Sequence, residues 1–105
     1  MKRRRVAFRP LARADLIALY DFIADKSGPA VALGYVERLE AACLALAEFP
    51  ERGTRRDGIR PGIRSIGFER RATILFQVRP EDVLIVRIAY AGRDLQRLFE
   101  GSGDN

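Results

Sequence analysis

Residues 72–90 read ATILFQVRPEDVLIVRIAY, and the way this stretch divides decides the fold. Ala72, Ile74, Phe76 and Val78 alternate with Thr73, Leu75, Gln77 and Arg79, the period of two that places one set of side chains on each face of a strand. Pro80, Glu81 and Asp82 supply a tight turn. The run 83–90 is apolar on both faces except at Arg87, as expected of a strand with neighbours on both sides. Two strands joined by so short a turn pair antiparallel. The stretch therefore predicts the heart of a sheet, and the rest of the chain must supply its neighbours and its cover.

Upstream, 63–68 gives one more short strand and completes a three-strand meander. The segment before it, 51–62, is rich in Arg and Gly and has no apolar period, which predicts an exposed connection. Two helical patterns precede that. Over 11–25, Leu16, Leu19, Tyr20 and Ile23 recur at spacings of three and four, with Ile17 and Phe22 flanking the stripe. Ser27 and Gly28 break the pattern, and Pro29 suits the first turn of a second helix. That helix is predicted to run to about Glu48, with Ala32, Val36, Leu39, Cys43 and Leu46 along its stripe and Tyr35 beside it, closed by Phe49 and Pro50. A hairpin of two such helices cannot bury its apolar face alone and needs a sheet. At the start, Val6 and Phe8 share one side of a first strand over 4–9 that Pro10 ends. At the other end, Leu95, Leu98 and Phe99 predict a short helix over 93–100, and 101–105 reads as a loose tail. The expectation is an α+β fold in the order β-α-α-β-β-β: one domain over 1–100, its helical hairpin packed on one face of a mainly antiparallel four-stranded sheet.

An apolar fraction of 48% with 31% charged residues interspersed is that of a chain that folds. The absence of histidine removes the commonest general base and metal ligand, and a single cysteine, Cys43, rules out zinc clusters and any disulfide within the chain. Cys43 falls on an apolar stripe and reads as a buried structural thiol. No glycine motif of the phosphate-cradling type stands between a strand and a helix. The acid pairs Asp21 with Asp25 and Glu37 with Glu40 lie outside the helical stripes and read as solubilising. No cofactor or metal is expected. The basic start is not followed by the apolar segment of a signal peptide, and no window approaches the about 18 apolar residues of a membrane span, so a cytoplasmic protein is expected.

The net charge of +5 is unevenly spread. Residues 1–9 hold five bases and no acid, and 52–71 hold seven arginines against Asp57 and Glu69. Such blocks attract phosphate or an acidic partner, or else form a merely solvated surface. Arginines with tyrosines can polarise a phosphodiester, and they serve binding equally well. The blocks lack a recognisable recognition helix, so no sequence-specific nucleic-acid binding is expected.

Particular residues sharpen this outline. Ala14, Asp15 and Leu16 open the first helix, and Tyr20, Phe22 and Ile23 follow. Phe49 and Pro50 end the helical pair, Gly53 lies in the loop, Arg64 on the next strand, then 74–78 and 86–94. Taken together the series resembles the RelE/ParE superfamily of bacterial toxin-antitoxin toxins, and it is most similar to the ParE branch. The resemblance runs from Val6 to about Phe99, with a tyrosine, Tyr90, where the branch often has histidine.

The resemblance implies a toxin neutralised by a cognate ParD-like antitoxin in a hetero-oligomer, in modules that serve plasmid stabilisation. In the ParE branch the target is DNA gyrase. In the RelE branch the same fold cuts messenger RNA on the ribosome, for which the candidate set here is Arg64, Arg87 and Tyr90. Strand parity sends Arg87 and Tyr90 to opposite faces unless a bulge intervenes, and arginine is a poor proton donor, so no catalytic residue is expected. The antitoxin surface implied is an apolar groove and sheet edge rimmed by arginine: Leu16, Tyr20, Phe22, Arg55, Arg56, Arg60 and Arg64. Target contacts would be Tyr90, Arg93, Leu98 and Phe99. Packing at the core edge for Phe22, and an ordinary sheet position for Tyr90, remain alternatives.

Overall fold

The computed structural model describes residues 5–90. In chain order the elements are β1 (Arg5–Phe8), α1 (Pro10–Ser27), α2 (Pro29–Leu44) with a final 3-10 turn (Ala45–Ala47), β2 (Thr54–Arg55), β3 (Ile63–Phe68), β4 (Ala72–Val78) and β5 (Asp82–Tyr90). The strands form one sheet in the order β1-β5-β4-β3-β2. β1 runs parallel to β5 and every other pair is antiparallel. The sheet thus has five strands where four are predicted. The extra one, β2, is two residues long inside the arginine loop, too short to carry a period. The predicted helix over 93–100 and the tail, with Arg93, Leu98 and Phe99, lie outside the described residues.

Pro10 both stops β1 and starts α1, since a first-turn residue has no intrahelical partner for its N–H. Gly28 ends α1 and begins α2 in one residue; its φ of +93° lets the chain reverse at once. The second helix tightens into the 3-10 turn at Ala45 instead of continuing to Glu48.

The hairpin covers one face of the sheet. Ala12, Leu16, Leu19, Ile23, Ala32, Tyr35, Leu39, Cys43 and Leu46 meet Ala72, Ile74, Phe76, Val83, Ile85 and Ile88 there. On the opposite face Ile63, Leu75, Leu84, Val86 and Ala89 form a second cluster with Ala7 and Ile59 against it. The change of parity within β5 has a cause: Phe76 pairs with Ile85 and Leu75 with Arg87, so Val86 is an extra residue, a β-bulge.

Candidate functional site

β1 ends at Phe8, so beyond Ile85 the outer edge of β5 has no strand beside it among the described residues. Helix α1 fills the gap. The Asp15 carboxylate accepts the Ile88 backbone N–H at 2.8 Å and receives the Arg87 guanidinium in a bidentate pair at 2.9 Å and 2.9 Å. Both side chains are 12% exposed, and the hydrogen bonds that Arg87 donates to Asp15 raise the Arg87 pKa above its ordinary value. One acid therefore satisfies a bare strand edge and anchors the arginine next to the bulge.

At the far edge, the arginine loop folds back on β3. Arg55 stands directly opposite Arg64, and Arg55 bridges to Asp57 at 3.0 Å. Arg56 donates to Ser65 Oγ at 2.9 Å, partly buried. Arg64 donates to the Arg52 carbonyl at 3.4 Å. The Gly62 N–H, above all, and Arg55 hold the Asp57 carboxyl below its ordinary range. Arg55 and Arg64 line a shallow pocket of about 210 Å³ with Glu51, Gly62, Ile63 and Val78. Two arginines facing each other across a strand pair repel. Such a pair is an attractive site for an acidic partner.

The third arrangement lies at the closed end of the hairpin, beside the Gly28 reversal. Four rings from four elements stack edge to face: Phe22 with Tyr90 at 5.8 Å, Tyr90 with Tyr35 at 5.9 Å and Tyr35 with Phe68 at 5.5 Å. Lys26 Nζ lies 5.0 Å over Phe22, and the Arg38 guanidinium lies 5.5 Å over Tyr35. Beside these rings opens a cleft of about 510 Å³ whose walls include Ile23, Val31, Tyr35, Arg38, Arg71 and Tyr90. Arg38 pairs in bidentate fashion with Glu69 at 2.9 Å and 3.1 Å across its mouth, holding the Glu69 carboxyl below its ordinary range. Glu69 and Arg70 turn the chain from β3 to β4 with φ of 48° and 62°, a left-handed conformation unusual for side chains of their size. Burial, above all, pushes the Tyr35 hydroxyl above its ordinary pKa, so it is a protonated donor at neutral pH.

Leu16, named from sequence as an antitoxin contact, is buried in the core at 6% exposure and has no surface to offer. Tyr20 is half-buried against the same core, whereas Phe22 is 47% exposed. Arg87 and Tyr90 do face opposite ways, because the bulge precedes both: Arg87 is opposite Leu75 of the second cluster, and Tyr90 packs on the helix-side core. Arg64 is level with Phe76, and Tyr90 with Ala72 and Phe68. At ordinary strand spacings that separates Arg64 from Tyr90 by roughly 13 Å along the sheet and roughly 10 Å across it. Arg64, Arg87 and Tyr90 are thus not brought together. Sequence reasoning missed Asp15 as the partner of Arg87, and Tyr35, Arg38, Glu69 and Arg71 as neighbours around one cleft. No periodicity marks such contacts between distant segments. Among the described residues no group of three metal-ligating side chains occurs, and no helix is long and apolar enough to cross a membrane.

A helical hairpin on one face of a mixed sheet, with an arginine edge at one end and an aromatic cleft at the other, defines an α+β protein of the RelE/ParE architecture. Residues 6–95 match the family model of the ParE toxin of the type II toxin-antitoxin system, parDE, and the chain belongs to that family. It is 31% identical over 85 residues to Toxin ParE3 of Caulobacter vibrioides, covering 81% of this chain and 83% of that protein. Its fold is similar to a chain of the chromosomal ParDE toxin-antitoxin system from P. aeruginosa, with a TM-score of 0.74 and 28% identity over 84% of this chain and 96% of that one.

Proposed function

We propose that this toxin acts without catalysing a reaction: it binds DNA gyrase in the cytoplasm and traps its cleaved DNA complex, and a cognate ParD-like antitoxin neutralises it by direct binding. The observation that supports a non-enzymatic reading is the fate of Arg87. Its guanidinium is held by Asp15 at the sheet edge, away from Tyr90 and Arg64, so the three residues a messenger ribonuclease would need share no site. Kinship with ParE toxins supports gyrase as the target. For the antitoxin, the exposed Phe22 ring is an apolar anchor, and the facing arginines Arg55 and Arg64, with Arg60 in the same loop, set orientation.

The test adds the purified toxin separately to gyrase with supercoiled DNA and to translating ribosomes. Accumulated cleaved DNA is expected, and prior addition of the antitoxin abolishes it. Messenger cleavage with no effect on gyrase would overturn the proposal in favour of a ribosome-dependent endoribonuclease. Reversing the charge at Arg64 is expected to weaken antitoxin binding.

A further inference from the structure

Tyr35 is 8% exposed, and its hydroxyl, inaccessible to solvent, has no hydrogen-bond partner among the described residues. A buried donor left in this state is uncommon in native proteins and is costly, so it calls for an explanation. Tyr35 lines the cleft at the closed end of the hairpin, and Arg71, which makes no ion pair among the described residues, lines the same cleft. A buried neutral donor just behind the wall and an exposed cation thus belong to two residues that line one cavity.

The surroundings narrow what can satisfy them. Glu69 stands at the mouth and is taken up by Arg38, so one positive charge, that of Arg71, is left for an incoming group. That balance suits a singly charged carboxylate better than a doubly charged phosphate. Ile23 and Val31 form apolar walls, Val31 is 55% exposed, and Phe22 beside Tyr90 is 47% exposed. A peptide segment with an apolar side chain next to an acid matches this combination. The left-handed turn at Glu69 and Arg70 places Glu69 at the mouth, and strain of this kind collects at binding sites.

We infer that the cleft between the hairpin and the β4–β5 end of the sheet is a carboxylate pocket, in which Tyr35 and Arg71 receive an aspartate or glutamate side chain of the antitoxin. This rests on the antitoxin reading above. The Arg38–Glu69 pair, whose side chains are 55% and 41% exposed, shifts aside at little cost to let the acid reach the phenol.

The experiment uses the full-length toxin with the full-length antitoxin encoded beside it, and measures their dissociation constant by calorimetric titration. Tyr35→Phe and Arg71→Gln are each expected to weaken binding about tenfold, the usual scale of a hydrogen bond to a charged group. Replacing the antitoxin's aspartates and glutamates one at a time by their amides should find one whose loss is not additive with Tyr35→Phe. Thermal unfolding of the free toxin supplies the second readout. Removing an unpartnered hydroxyl leaves the Tyr35→Phe midpoint unchanged or raises it, whereas a lowered midpoint shows that the hydroxyl is already satisfied and overturns the inference. Unaltered antitoxin affinity in both variants also overturns it, as does a loss seen only in binding to gyrase. A wild-type toxin that does not bind the antitoxin at all overturns the antitoxin reading, and this one with it.

Discussion

At Gly53 the backbone takes φ +81° and passes so close to β3 that a Cβ would collide with the Ser65 carbonyl. Both the left-handed angle and the near contact exclude a side chain, so Gly53→Ala is expected to cost about 2 kcal/mol in urea unfolding, more than an ordinary surface change. Asp15 is the other residue on which a local structure turns. Asp15→Ala leaves a mostly buried guanidinium and a strand N–H without their acceptor, and about 3 kcal/mol of stability should be lost. The double change Asp15→Leu with Arg87→Met should recover much of it, because the stranded charge is then gone. Cys43 is fully buried and burial pushes its thiol up to about 12. It should not react with a thiol reagent at pH 8 until the protein is denatured.

Between elements, exposed ion pairs tie the β3–β4 turn to α2 and brace the start of β5, through Arg38 with Glu69 and Arg79 with Asp82. The folded pKa of each carboxyl lies below its ordinary value, 4.5 for Glu69 and 3.8 for Asp82, chiefly because of the arginine hydrogen bonds. Their contribution is therefore full above those values and disappears as the pH falls through the lowered ones. The melting temperature should hold from pH 7 to about 5.5 and decline below about 4.5, less steeply in Glu69→Gln, as a pH series of thermal scans would show. Arg70→Gly relieves a left-handed angle and should add about 0.5 kcal/mol, the loss of unfolded-state freedom offsetting part of the gain. At this scale the sequence was largely legible. The alternation in 72–78 and the stripes of both helices put the right side chains on the core face, and Gly28 with Pro29 marked the reversal. Two features escaped: β2, whose two residues carry no period, and the bulge at Val86, which no composition signals. The site was less legible than the fold for the same reason. Tyr35 reads as core from its stripe, but that its hydroxyl lacks a partner among the described residues depends on the β3–β4 turn and the end of β5, which only folding brings near.

For the whole molecule, charge and topology carry different consequences. With a net charge of +5 and arginines gathered at one sheet edge, association with the proposed antitoxin, if it is acidic, should be steered, its rate falling severalfold between low and physiological salt while dissociation changes little. Stopped-flow measurements over a salt series would read this directly. The parallel pairing of β1 with β5 reaches further. Arg5 lies beside Asp82 and Phe8 beside Ile85, so the first strand finds its neighbour only after the intervening chain has been made. At a synthesis rate of about 5–20 residues per second, the nascent polypeptide spends seconds with its helical hairpin waiting for a sheet. During that interval no folded toxin exists on the ribosome. A message cut short before the codon for Asp82 yields a fragment in which β1 has no neighbour and the hairpin no complete sheet, a substrate for proteolysis rather than a folded domain.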